Sequence, residues 1–404
     1  MYLSLSWRNI WRNKKRTLIV VASVFFAVLF ASIMRSAQTG SYSYMIHSSA
    51  KLFTGYLQIQ GEKYWDNQSL DNSIIINKKQ QEEIQSIPYV TTITPRLTSF
   101  MLISFKSSTR VAMVTGINPV LEDNMTGLKQ KVVKGDYLTE NSDGVLIGKG
   151  LAEVLKISIG DSVVLYGQGY HGQIAAAILP VSGFVKLPFD AMNNRLVFLA
   201  LRNAQSVYSA EHRITSLPIM IKDVNHLEKV LKPLQKKFGE KYAIKTWKQM
   251  MPELVQSIQI DNASGIIMLV ILYIVIGFGV FGTIMMMVAE RTKEFGILIS
   301  VGMKKWRLIW VTTLETLFIS FLGAITGIIG SLPLIFYLHN NPIHITGAGA
   351  KAFDQLAIEP IFNFSIDPGI FISQALVVFL IAFATIFYPI LFIQRLEPIN
   401  ALHA

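Results

Sequence analysis

Four long apolar runs constrain this chain more than any other feature. A transmembrane helix needs about 20 predominantly apolar residues. Leu18 to Met34, Gly265 to Ala289, Leu308 to Leu338 and Gly369 to Ile393 supply runs of 17, 25, 31 and 25. Only Glu315 brings a charge into the third, which also carries a late Pro333. Arg16 and Arg35 flank the first run, where long cationic side chains can snorkel to the interfaces. A basic start before an apolar core also fits a secretory signal. Its length exceeds the usual h-region of about 7–15 residues, and no A-x-A site follows, so it reads as an anchor. The chain is 51% hydrophobic and 16% charged, against about 25% charged in soluble domains. A long polar stretch between the first two runs excludes a bundle made only of spans. The predicted fold is an α-helical membrane protein with four transmembrane helices plus a large extracytoplasmic mixed α/β domain.

Orientation follows from Lys and Arg beside the spans. Residues 1–17 carry Arg8, Arg12, Lys14, Lys15 and Arg16, and the loop from Glu290 to Arg307 carries Arg291, Lys293, Lys304, Lys305 and Arg307. The loop from His339 to Pro368 has a single Lys351. Both termini and the Glu290 loop are therefore expected in the cytoplasm, with the segment from Ser36 to Asn262 outside. That segment holds 24 basic and 19 acidic residues, an ordinary mixed surface, so the net charge of +11 reports topology. The expected partner for the basic excess is the lipid bilayer, not nucleic acid. There is no cysteine, which removes disulfides, thiolate metal sites and cysteine nucleophiles.

Residues 36–262 read as the α/β domain, 263–393 as spans two to four with their loops, and 394–404 as a cytoplasmic tail. Within the domain, strand-like runs are Gly55 to Gln60, Val90 to Phe105, Val111 to Ile117, Ser162 to Tyr166, Ile174 to Val185, Leu196 to Leu199 and Leu217 to Ile221. Helical patterns cover Lys78 to Ile87, Arg202 to Tyr208 and Val224 to Phe238, the last with Asp223 as N-cap. Two strand–helix–strand units, Gly55 to Phe105 and Leu217 to Trp247, predict one split α/β unit with a β-rich insert over about 110–200.

No enzyme site is visible. Gly277, Gly279 and Gly282 spell G-x-G-x-x-G, but mid-span, without the preceding strand and the later carboxylate that dinucleotide binding requires. Small residues that let helices approach in lipid explain them better. Gly323, Gly327 and Gly330 read the same way. No G-x-x-x-x-G-K-[ST], H-E-x-x-H or G-x-S-x-G occurs, so no cofactor is expected on this chain. At the start, Leu3, Trp7, Ile10 and Trp11 share a helical stripe opposite Arg8, Arg12 and Lys15, an interfacial amphipathic helix or a plain positive-inside flank. In the Glu290 loop, Phe295, Leu298, Ile299 and Gly302 fall at i, i+3, i+4 and i+7, one apolar face on a short helix. Such a face can lie on the bilayer or enter a groove of a partner. Glu315, an ionisable group at membrane depth, is a functional candidate by default and is expected to pair with Arg307 or another basic neighbour.

These pieces, in this order, resemble the permease family of ABC transporters that includes MacB, FtsX, LolC and LolE. The opening Trp7-Arg8-Asn9-Ile10-Trp11-Arg12-Asn13-Lys14-Lys15-Arg16-Thr17 looks like the family's lead into its first span. Glu290, Arg291, Thr292, Glu294, Gly296, Val301, Gly302 and Arg307 match its coupling-helix motif, and Arg395-Leu396-Glu397-Pro398 resembles its ending. In the outside segment, Gly116-Ile117-Asn118-Pro119, Gly144 to Leu155, Gly160-Asp161 and Leu199 to Gln205 look like the MacB-type periplasmic core.

The resemblance implies a non-catalytic permease subunit in a bacterial inner membrane. It would pair with a second permease, identical or homologous, while its coupling helix docks on a cytoplasmic ATPase dimer that holds ATP and magnesium. Span number and domain size resemble LolC and LolE most, which implies lipoprotein release and a periplasmic carrier. Export of another amphiphile, control of a wall hydrolase, and a membrane-anchored sensor are the alternatives. Extracting a chain of roughly 15 carbons from lipid costs on the order of 12 kcal/mol at about 0.8 kcal/mol per CH₂, a reason to need ATP. By the same analogy, a cargo surface lies between the outer halves of spans one and two, with Phe30, Ile33, Met34, Ile267, Met268 and Ile271 as candidates.

Overall fold

The computed structural model describes residues 2–12, 14–188, 190–347 and 360–397. Asn13, Lys351 and Pro398, with the side chains of Leu3, Asn9 and Arg16, lie outside the described residues. The chain divides into two compact units, one from Met1–Ser43, Ser257–His344 and Ile361–Ala404, the other from Tyr44–Gln256 and Ile345–Pro360.

Among the described residues, the first unit contains four helices long and apolar enough to cross a membrane. The first-span helix, Lys14–Ser49, and the second, Pro252–Glu290, both continue well past their apolar runs. At 1.5 Å per residue the 39-residue second helix is about 58 Å long, against about 30 Å of hydrocarbon. The third-span helix is Lys305–Asn340. The fourth is two pieces, Pro368–Thr385 and Phe387–Arg395. An amphipathic helix, Tyr2–Arg12, precedes them, and a loop helix, Thr292–Ser300, joins the second span to the third.

The third span is the inner member. Its buried stripe includes Thr312, Glu315, Thr316, Ser320, Gly323, Gly327 and Ser331. The hydroxyls of Thr312, Thr316 and Ser320 donate to carbonyls three or four residues back, which is how small polar residues remain satisfied away from water. A Cβ built on Gly323 would lie 2.6 Å from Val24 Cβ, and one on Gly327 2.8 Å from Val28 Cβ. Both numbers rise together, so the first and third spans run parallel, as alternate crossings require. Tyr273 hydrogen-bonds Gln374 and Gly277 meets Ile381, giving the same sense for spans two and four.

Among the described residues, the second unit is built from eleven strands. β1 (Leu57–Gln60), β2 (Val90–Ile93), β10 (Ser216–Ile221) and β11 (Ala243–Thr246) pair antiparallel in the order β11-β1-β10-β2. Helices Lys78–Gln85 and Leu227–Phe238 connect them, the split βαβ arrangement of two interleaved units. The buried face of the second helix, Val230, Leu231, Leu234 and Phe238, packs on Leu57, Ile59, Leu217 and Ile219.

Between β2 and β10 the chain inserts β3 (Arg96–Phe105), β4 (Ser108–Ile117), β5 (Val132–Gly135), β6 (Val145–Gly148), β7 (Ser162–Gln168), β8 (Ile174–Val185) and β9 (Leu196–Ala200). Six of them close on themselves in the order β3-β4-β9-β6-β8-β7 and back to β3. A closed ring removes free edges. Alternation fills it: Val163 and Leu165 of β7 point in with Met101, Ile103, Val114 and Val197.

The sequence-based expectation of one strand over Val90–Phe105 is corrected, because Thr94-Pro95 breaks it into β2 and β3. β3 belongs to the ring. The helix Pro119–Thr126 was not foreseen, although its signals are local: Asn118 caps the Val120 and Leu121 amides, Pro119 stands at the first turn and Gly127 ends it in the left-handed region.

Candidate functional site

The loop helix is held from beneath by one arginine. Arg291 sits at its N-terminal boundary with a side chain 5% exposed, and its Nη1 donates to Glu315 Oε2 of the third span at 2.7 Å. Its Nε reaches Glu294 Oε2 at 3.3 Å, and its guanidinium lies over the Phe295 ring at 5.4 Å. Glu294 in turn meets Arg12 Nη2 at 3.4 Å. A chain of four charges thus joins the third span, the loop helix and the amphipathic helix. Each charge buried there has its counter-charge in contact, the condition for retaining ions at low dielectric.

The helix ends as deliberately as it begins. Met303 N–H donates to Leu298 O and Gly302 N–H to Ile299 O, the two bonds of a Schellman stop, with Gly302 at φ +105°. Only glycine takes that angle without strain, which gives the Val301-Gly302 pair a conformational reason.

Placed on this geometry, the predicted residues separate. Phe295 and Gly296 are buried and Ile299 packs against the bundle core. Leu298 and Gly302 do not join that face. Leu298 is exposed, as are Ile297 and Val301, the last at 83%. Residues 295 to 299 are all apolar or glycine, so helical period alone cannot select a face; the Arg291 anchor does. Arg307 is exposed and is not the partner of Glu315, because Arg291 occupies that carboxylate. Glu290 lies on the exposed side of the second-span end.

In the amphipathic helix Ser6 and Ile10 are buried: the Ser6 hydroxyl donates to Val311 O, and Ile10 packs with Val20 and Ile319. Trp7 stands edge-on to Phe318 and to Trp11. The stripe meets the third span, with its two tryptophans 43% and 55% exposed.

The glycines also divide. Gly323, Gly327 and Gly330 face Val24, Val28 and Phe25 across a gap that no Cβ would fit. Gly277 touches Ile381, but a Cβ on Gly279 or Gly282 would meet nothing within 4 Å. Packing within this chain therefore does not account for those two. Of the cargo candidates, Phe30, Ile267, Met268 and Ile271 are more than half exposed and Met34 is half-buried. Ile33 is also half-buried and packs against the cluster of Ile335, Phe364 and Phe371.

Sequence reasoning missed a polar cluster joining the C-terminal part of the first span helix to the N-terminal part of the second. Arg35 donates to Gln38 and Asn262 at 2.7 and 3.0 Å. Tyr42 donates to Asp261 Oδ2 at 2.6 Å. Each side chain lies just beyond an apolar run, where a polar residue reads as an ordinary flank.

Comparison with known proteins agrees with this architecture. A family profile described as the MacB-like periplasmic core domain matches residues 17–237, and one described as the FtsX-like permease C-terminal matches residues 266–398. The lipoprotein-releasing system transmembrane protein LolC of Xylella fastidiosa (strain 9a5c) is 25% identical over 237 residues, 56% of this chain and 56% of that protein. The macrolide export ATP-binding/permease protein MacB of Burkholderia cenocepacia (strain HI2424) is 18% identical over 374 residues, 86% of this chain and 53% of that protein. The chain spans about half the length of these curated relatives. The crystal structure of the periplasmic region of MacB from Actinobacillus actinomycetemcomitans covers 51% of this chain and 95% of its own, at 16% identity and a TM-score of 0.36. With one profile covering more than half of the residues and the second taking in spans two to four, this chain belongs to the MacB/FtsX/LolC family: it is a membrane protein of the ABC transporter permease class with a MacB-like, periplasmic-type α/β domain.

Proposed function

We propose that this permease transmits ATP-driven closure of a cytoplasmic ATPase dimer to its outer domain, and that its cargo is lipoprotein leaving the inner membrane. ATP and magnesium belong to the partner; this chain supplies the moving part beside a second permease subunit. The observation that carries the reading is the exposed apolar tip of Ile297, Leu298 and Val301 standing over the buried Arg291–Glu315 pair. A partner that grips the tip pulls on Arg291, and Arg291 is fastened to the third span. The third span lies in close register with the first through Gly323 and Gly327. Motion at the loop helix is thereby passed to two spans without a channel.

Lipoprotein is the favoured cargo because relatives named for lipoprotein release match this chain and because the exposed Phe30, Ile267, Met268 and Ile271 offer apolar surface to an extracted acyl chain.

Val301→Asp tests the docking face. At 83% exposure the substitution leaves the thermal unfolding of the permease unchanged, while co-purification of the ATPase is lost. Retained binding with unaltered ATPase stimulation would show that the tip is not the docking face. Cargo is tested by depletion and membrane fractionation. Lipoproteins are expected to accumulate in the inner membrane; their normal arrival at the outer membrane would exclude them as cargo in favour of another amphiphile.

A further inference from the structure

The outer domain contains a cavity of about 270 Å³ at the seam between the split sheet and the strand ring. It is partly open to solvent, with the exposed Gln68 among its lining residues. One water needs about 10–15 Å³ of such space, so there is room for a small molecule.

Its lining is graded. The strand register sets Thr98 opposite Thr115 and Thr115 opposite Phe198, with Met113 opposite Leu196 in the next row. Arg96 and Ser216 pair at the other end. From Arg96 to the Met113 row is four residues of strand, about 13 Å at 3.3 Å each. The cavity therefore runs from a hydrogen-bonding end to an apolar end over the length of a medium alkyl chain.

The charges at the polar end are already matched. Arg96 Nε and Nη2 hold both Glu122 oxygens at 2.9 and 2.7 Å, and Nη1 donates to Phe53 O at the last turn of a π-helix, Ala50–Thr54. An anionic head would be desolvated there without a counter-ion of its own. Neutral hydrogen-bonding groups remain: Gln58, and the Thr98 hydroxyl that donates to Thr115 at 3.3 Å. Gln58 Nε2 donates to Gln60 Oε1, while Gln60 Nε2, fully buried beside it on β1, has no partner among the described residues. Of the two, Gln58 lines the cavity and Gln60 does not. Phe53 and Thr54 of the π-helix also line the cavity, and π-helical turns are frequent at functional sites.

We propose that this cavity is a binding site for a small neutral amphiphile, with a hydroxyl head against Gln58 and the Thr98–Thr115 pair and an alkyl body against Met113, Leu196 and Phe198. The site is separate from the proposed cargo surface and does not rest on that reading.

The test uses the full chain in lipid nanodiscs, a photoreactive diazirine analogue of 1-octanol, and peptide mapping by mass spectrometry. Outer-domain label is expected on the β4 and β9 segments, removed by excess 1-octanol and retained under excess octanoate. Met113→Trp fills the apolar end and abolishes this label. Thr115→Val, which keeps the shape, weakens 1-octanol competition about fivefold, the loss of one hydrogen bond, and supplies the answer if the tryptophan variant does not fold. Label confined to the membrane helices, outer-domain label that 1-octanol does not displace, or equal competition by octanoate would each overturn the proposal.

Discussion

Arg291→Ala will destabilise this permease by about 3–5 kcal/mol, the cost of removing one partner from a buried ion pair. The reason is what stays behind. Glu315 is 3% exposed on the inner stripe of the third span, and Arg291 supplies its 2.7 Å contact. Arg12→Ala, at the exposed end of the same relay, is expected to change stability by less than about 1 kcal/mol. The informative variant is the double one. Replacing both Arg291 and Glu315 by Met removes the charges together, and a well-packed apolar pair is often neutral or stabilising. Thermal unfolding should therefore recover in the double variant while stimulation of the ATPase proposed as its partner stays low. If Arg291→Ala unfolds like the wild type, the pair is not holding the loop helix. If the double variant regains both stability and stimulation, the pair acts as packing and the relay reading fails.

The same pair shows what a linear reading could and could not see. Glu315 stood out because a carboxylate in an apolar run is costly, but its partner is 24 residues away and looked like one of several loop cations. Hydropathy reports which solvent a segment prefers, not which neighbour a side chain finds. That is why the spans were legible, with the first and second helices extending beyond them, whereas the orientation of the loop helix was not. In the α/β domain, the two strand–helix–strand units are visible in local patterning. The ring is not, since its closure joins β3 to β7 and β4 to β9 across long separations. Arg96, Glu122 and Gln58 carry no local signal at all. They are polar residues in strands or a short helix, and only tertiary contact brings them to one cavity.

Bulk at the glycines of the third span should have the second large effect. Gly323→Leu must accommodate a Cβ that would stand 2.6 Å from Val24 Cβ and 3.0 Å from Val21 O. Ordinary carbon contacts lie at about 3.5–4.0 Å, so the two helices have to separate by roughly 1 Å. Gly327→Leu meets Val28 and the Phe25 carbonyl in the same way. Overpacking of this kind costs about 1–3 kcal/mol per site. In lipid no hydrophobic drive exists to offset it, because association there rests on close packing itself. Gly279→Leu and Gly282→Leu supply the contrast. They add the same side chain to a span helix but meet nothing within 4 Å, so thermal unfolding of the isolated permease should shift little. Equal losses at Gly279 and Gly323 in the isolated chain would show that intrinsic helix effects, not the span contact, set the cost. A loss at Gly279 that emerges only in the assembled transporter would locate that glycine at a contact with another subunit. The first outcome would also weaken the mechanical reading, since the Gly323–Gly327 ridge is the route by which a pull on the third span reaches the first.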